Sequence, residues 1–133
     1  MGIKLWMVFE AVAPEESAVE ESLNQHIENL ESEGDLEIVE KEFDSVDKVE
    51  DPHPSLDEGY SSLVEVRVDC ENFTRAVKTV VNYGPTYVQV EGPEHYDLDL
   101  KDSQQALQEV ANTMQQYAQM GLGGVLVSNT DEE

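Results

Sequence analysis

Leu63-Val64-Glu65-Val66-Arg67-Val68-Asp69-Cys70 runs directly into Glu71-Asn72-Phe73-Thr74-Arg75-Ala76-Val77-Lys78-Thr79-Val80-Val81, and the apolar period changes at that junction. In the first run Val64, Val66, Val68 and Cys70 alternate with Leu63, Glu65, Arg67 and Asp69. That two-residue period predicts a strand with one buried face, extending back to Tyr60. In the second run Phe73, Ala76, Val77, Val80 and Val81 recur at helical spacing, and Gly84-Pro85 ends the helix. Residues 86–91, centred on Val88 and Val90, then read as a short strand closed by Gly92-Pro93.

Upstream, residues 3–11 place Ile3, Leu5, Met7, Phe9 and Ala11 on one face and Lys4, Trp6, Val8 and Glu10 on the other, as in a central strand. Pro14 suits a first helical turn, and Glu15 and Glu16 suit the positive end of the helix dipole. The helix is expected to reach about residue 33, with Val19, Leu23, His26/Ile27 and Leu30 as its stripe and Gly34 as a left-handed stop. A charged edge strand follows over residues 36–43, continuing weakly through Val46 and Val49. Residues 51–59 hold two prolines and a glycine and read as a loop. The order βαββαβ over residues 1–93 predicts an α+β, ferredoxin-like fold, with a four-stranded antiparallel sheet and both helices on one face. A third helix is expected over 102–120, with Leu107, Val110, Ala111, Met114, Tyr117 and Ala118 as its apolar stripe. Gly121-Leu122-Gly123-Gly124 breaks it, Val125-Leu126-Val127 predicts a further short strand, and residues 128–133 form a frayed acidic end. The 133 residues make a single domain.

Thirty acidic residues against seven basic ones leave a formal charge of −23. Residues 15–58 hold 17 of the acids, yet apolar positions at folded-domain spacing run through them, which argues against a disordered acidic tail. Such depletion of Lys and Arg fits a cytoplasm of molar salt, where a Debye length of about 3 Å screens the self-repulsion. A field of this sign repels nucleic acid and anionic lipid. No run nears the ~20 apolar residues of a membrane-spanning helix, and the start lacks a secretory leader, so a cytoplasmic location is expected. Residues 103–130 depart from this pattern: Glu109 is the one charged side chain in the segment, where the chain average predicts about eight. The polar face there carries amides, including Gln115, Gln116 and Gln119. A segment so depleted in a carboxylate-rich chain is expected to be covered, either by the sheet face opposite the first two helices or by a second copy in an isologous contact. Leu107, Met114, Tyr117, Gln115, Gln116, Gln119, Leu122 and Val125 are the interface candidates of a homo-oligomer.

Chemistry-bearing residues are sparse. His26 borders the apolar stripe of the first helix. His53, between two prolines, and His95, beside Tyr96, fall on loops; His53, His95 and Tyr96 are the ligand-binding candidates. No Cys-x-x-Cys or His-x-x-x-His spacing points to a metal site. The lone Cys70 excludes an internal disulfide and, facing inward, reads as inert. Asp97-Leu98-Asp99-Leu100-Lys101-Asp102 lacks the glycine and terminal glutamate of a calcium loop, and Gly121-Leu122-Gly123-Gly124 follows a helix with no Lys-Ser/Thr after it. Lys4, Trp6, Arg67 and Tyr87 share a sheet face, but without the aromatic-basic signature of RNA-recognition domains. No catalytic set and no cofactor motif emerges.

Asn82-Tyr83-Gly84-Pro85-Thr86-Tyr87-Val88-Gln89-Val90-Glu91-Gly92-Pro93, with the long uncharged helix and Gly121-Leu122-Gly123-Gly124-Val125-Leu126-Val127, resembles a family of small uncharacterised archaeal proteins, here in a halophilic member. These motifs are turns and helix stops, so the resemblance implies a fold and no site. The βαββαβ order is also similar to that of amino-acid-sensing ACT modules, although Ala11-Val12-Ala13-Pro14 does not carry their glycine-bearing ligand loop. The expected function is a self-associating interaction or small-ligand regulatory module. Two alternatives are a small enzyme with an inter-subunit pocket near His53 and His95, and an obligate subunit of a larger complex.

Overall fold

The computed structural model describes residues 2–53 and 56–120, with residues 51–53 and 56–58 described by their backbone alone. Among the described residues the elements are β1 (Ile3–Ala13), α1 (Glu16–Glu31), β2 (Leu36–Phe43), β3 (Asp47–His53), β4 (Leu56–Cys70), α2 (Phe73–Tyr83), β5 (Tyr87–Gly92) and α3 (Leu100–Gln119). They form a mixed α+β structure with a five-stranded antiparallel sheet and three helices, in the strand order β2-β4-β1-β5 with β3 also on β4.

The expected four strands are therefore five, and the difference lies at one edge. β4 is 15 residues long. Its C-terminal half pairs with β2, from Leu36↔Cys70 to Phe43↔Val64, and its N-terminal half pairs with β3, from Asp47↔Ser61 to His53↔Leu56. Ser62 Oγ donates to the carbonyls of Asp44 and Ser45 at 2.9 and 3.1 Å, pinning the break between the two short strands. The segment 51–59, expected as a loop, contributes to both β3 and β4. Pro52 is tolerated because it falls where the β3 register shifts between Glu50 and His53, on an edge whose outward N–H groups have no strand to bond.

β1 pairs with β4 without interruption, from Ile3↔Cys70 to Ala13↔Tyr60. Alternation then puts Ile3, Leu5, Met7, Phe9, Val64, Val66, Val68 and Cys70 on one face, all buried. Val19, Leu23, Ile27 and Leu30 of α1 complete this core from above. Burial of each large side chain stabilises by roughly 1.5–3 kcal/mol. The pairing of β1 with β4 brings the backbone so close at its start that a Cβ on Gly2 would lie 1.7 Å from the Cys70 carbonyl oxygen.

The helix ends differ in chemistry. Asn72 Oδ1 accepts from the Arg75 N–H at 2.8 Å and caps α2, whose C-terminal end turns through Gly84 at φ 61°. α1 stops at Glu31, with the Ser32 N–H donating to the Glu28 and Asn29 carbonyls. Gly34 is outside the left-handed region, contrary to the expected stop.

α3 packs against α2, and that corrects one of the two expected covers. Thr74 Oγ1 lies 3.4 Å from the Asp102 carbonyl, and Thr113 Oγ1 lies 3.4 Å from Asn82 Oδ1, so the two helices run parallel. The stripe of α3 that meets α2 is Ala106 and Thr113, small residues suited to close helix contact. The opposite sheet face is not covered by α3. Trp6 Nε1 there donates to Glu65 at 3.2 Å, Trp6 stacks edge-on against Tyr87 at 5.2 Å, and Arg67 bridges Glu91 and Glu40. The expected strand at 125–127 and the interface candidates Leu122 and Val125 lie outside the described residues.

Candidate functional site

α3 presents three faces. Ala106 and Thr113 are buried against α2. About 100° round the helix lies an apolar stripe, Leu107, Ala111, Met114 and Ala118, at spacings of four, three and four residues. Leu107 is 69% exposed, Met114 and Tyr117 are exposed, and Ala118 at the far end is buried. The remaining face carries Gln104, Gln108, Gln115 and Gln119, all exposed, with Gln108 Nε2 donating to Asn112 Oδ1 at 2.9 Å. Gln116 is exposed as well. On α1 the equivalent outward face carries Glu16, Glu20, Glu28 and Glu31 instead. The outward surface of α3 is thus amide and hydrocarbon on a chain of charge −23.

Beside α3 the helix layer is open. Val88 and Val90 of β5 lie opposite Met7 and Leu5 and so share the helix-facing side of the sheet, yet they are 38% and 60% exposed. With Phe73, Val77 and Val81 they line an apolar groove of about 220 Å³. A second hollow of about 350 Å³, bounded by Leu98, Ala106, Leu107 and Val110, shares Phe73 and Val77 with the first. The first lies between α2 and strands β1 and β5, and the second between α2 and α3.

The ligand-binding candidates are separated. His53 ends β3 and pairs with Leu56, beyond the Ala13 end of β1; its side chain lies outside the described residues. His95 follows β5, whose Gly92 pairs with Lys4 at the other end of β1. The length of β1 keeps the two histidines roughly 30 Å or more apart within one chain. His95 and Tyr96 line a cleft of about 550 Å³ with Lys4, Glu91, Pro93 and Asp97. Tyr96 Oη accepts from the Phe73 N–H at 3.2 Å, so this phenol closes the start of α2. Among the described residues no three His, Cys, Asp or Glu side chains gather as metal ligands. Cys70 is fully buried, and burial pushes its thiol up to about 11.

A polar cluster between α1 and α2 escaped the sequence reading. Arg75 is 8% exposed; its Nη1 lies 3.3 Å from Glu33 Oε1, and its Nε lies 2.5 Å from Asp35 Oδ1 in a charge contact whose angle falls short of a hydrogen bond. Tyr83 Oη donates to Glu33 Oε2 at 2.6 Å, and the His26 Nε2–H donates to the Tyr83 carbonyl at 2.9 Å. Burial, followed by the hydrogen bond to Glu33 and its negative charge, pushes the Tyr83 phenol up to about 12. The cluster pairs Arg75 with two carboxylates and ties the chain just after α1 to α2, which makes it a clamp. Its sequence signal was a lone arginine inside an apolar helical stripe. The openness of Val88 and Val90 also went unread, because periodicity reports which face a residue takes and not whether a neighbour covers it.

A family model described as the MJ0538 family matches residues 4–132. That family is named after a Methanocaldococcus protein, in keeping with the archaeal resemblance of the turn at Gly84-Pro85 and the segments after it. No curated protein and no solved structure matches the chain.

Proposed function

The chain belongs to the MJ0538 family, and we propose that it is a self-associating interaction module of a halophilic cytoplasm, meeting a second copy of itself through the outward amide face of α3. One observation carries this reading: the exposed glutamines of α3 hold no charge, whereas the exposed face of α1 is a row of carboxylates. A like-charged pair of chains meets at least cost where charge is absent. Amide-to-amide hydrogen bonds also persist in molar salt, where ion pairs are screened. A two-fold contact between parallel faces of one helix is self-complementary and closes at a dimer. Taking β2 and β3 as one interrupted edge, the sheet order is that of two interlocked βαβ units, which supports the ferredoxin-like description and a module of that kind.

The test is the mass of the chain by light scattering in molar KCl, beside the double variant Gln115→Glu/Gln119→Glu. The expected result is a dimer for the natural chain and a monomer for the variant, with an unchanged far-UV circular dichroism spectrum, since both side chains are exposed in a single copy. A natural chain that stays monomeric at high concentration overturns the reading.

A further inference from the structure

Lys4 lines the cleft of about 550 Å³ together with two carboxylates, Glu91 and Asp97, yet its ammonium pairs with neither among the described residues. Arg67, Arg75 and Lys41 each find a carboxylate. The register of β5 explains the difference. From Tyr87↔Val8 to Val90↔Leu5 the pairing is regular, and one step further it would set Glu91 opposite Lys4. The register shifts between Lys4 and Leu5, Gly92 takes the place opposite Lys4, and Glu91 becomes the extra residue of a β-bulge. Glu91 Oε1 accepts instead from Arg67 Nε at 3.1 Å, and Arg67 Nη1 reaches Glu40 at 3.4 Å. The bulge thus exchanges the Lys4–Glu91 ion pair of a regular ladder for a Glu91–Arg67 pair. Bulges gather beside sites of chemistry because they re-aim a side chain in this way.

The geometry points to a binding site in this cleft for a small zwitterion, a free α-amino acid. Lys4 and His95 supply donors for its carboxylate, since an imidazole carries at least one N–H in either protonation state. Asp97 and Oε2 of Glu91 supply acceptors for its ammonium. The side chains of Lys4, His95 and Asp97 have no other partner among the described residues, so each is available to a ligand. The mixture of signs selects the class. A simple anion would meet two carboxylates beside the lysine, and a simple cation would meet the lysine, whereas a molecule with both charges satisfies both sets. Charge-assisted hydrogen bonds at contact distance inside a cleft also survive salt better than exposed pairs farther apart.

The walls are held in place before any ligand arrives. Tyr96 Oη accepts from the Phe73 N–H at 3.2 Å, and its ring packs on that of Phe73 with centroids 6.4 Å apart. Arg67 anchors Glu91. Gly2 and Gly92 bring backbone to the lining without a side chain, and Pro93 and the Tyr96 ring offer carbon to the ligand's side chain. The volume lies in the range of about 300–1,000 Å³ usual for small-molecule sites. A neutral amino acid is therefore preferred over aspartate or glutamate, whose second carboxylate would add to the local negative charge. The cleft sits at the Lys4 end of β1, about 23 Å along the strand from Ala11 and the junction with α1. None of its lining residues belongs to α3, so ligand binding and self-association are read separately.

The test is saturation-transfer NMR on the natural chain in molar KCl, with each natural L-α-amino acid in turn as the probe. For an amino acid that binds, titration calorimetry then compares it with the carboxylic acid lacking its amino group and the amine lacking its carboxylate. The expected result is binding of at least one neutral amino acid, weakened at least about tenfold by loss of either charged group and by Lys4→Met or Asp97→Asn. Far-UV circular dichroism of both variants should match the natural chain. Should Lys4→Met fail to fold, Asp97→Asn, outside every helix and strand, decides by the same criterion. Saturation transfer to no amino acid overturns the inference, as does a carboxylic acid or an amine that binds as tightly as the amino acid, or a folded variant with undiminished affinity.

Discussion

Tyr83 shows how a single residue couples the fold to pH. Its phenol donates to Glu33, and the folded chain holds it up to about 12, against an ordinary 10.0. A raised phenol favours the protonated form in the native state. The contribution is therefore complete below pH 10 and is lost as pH climbs through about 12. Natural chain and Tyr83→Phe, compared by chemical denaturation, should lose their stability difference across that window; the native absorbance titration should also lose a phenol ionising near 12 in the variant. Cys70 rises in both proteins and cancels from the comparison. The inward direction of Cys70 was legible from alternation alone, because a strand repeats every two residues. Arg75 was not, since its partners Glu33 and Asp35 lie some 40 residues away and only the packing of α1 on α2 brings them near.

Among the elements, α2 is set by local chemistry at both ends, and its cap can be tested alone. Asn72→Ala removes the acceptor of the Arg75 N–H and should cost about 1 kcal/mol, a fall in thermal midpoint of about 3–5 °C. Differential scanning calorimetry reads the change, and an unchanged midpoint would show that the cap contributes nothing. The helices and the two central strands were legible because one face of each is buried, which imposes a period. β3 was not. It sits at an edge, where charged side chains and Pro52 break alternation, and it becomes a strand through its pairing with the long arm of β4. α3 was legible as a helix but not in position: its stripe says that a face is covered, while the choice of α2 over the far sheet face depends on the shape that Ala106 and Thr113 allow.

For the whole molecule, charge sets the conditions under which these elements hold together. With −23 on 133 residues, self-repulsion reaches across the chain in dilute buffer, where the Debye length is about 30 Å at 0.01 M, and is confined to nearest neighbours near 3 Å at 1 M. The thermal midpoint should rise steeply between dilute and molar KCl and more slowly beyond; a midpoint indifferent to KCl would sink the proposal of a high-salt habitat. No helix among the described residues is long and apolar enough to cross a membrane. By itself the sequence determined the α+β class, the inward faces of β1, α1 and the C-terminal half of β4, and the unusual lack of charge over residues 103–130, because these follow from composition and from periods of two and 3.6 residues. Only the tertiary structure decided that α3 lies on α2, that β5 ends the described sheet with Val88 and Val90 open, that His53 and His95 stand at opposite ends of β1, and that Arg75 is buried between two carboxylates. Each of these depends on which distant segments meet, and distance along the chain carries no local signal of such meetings.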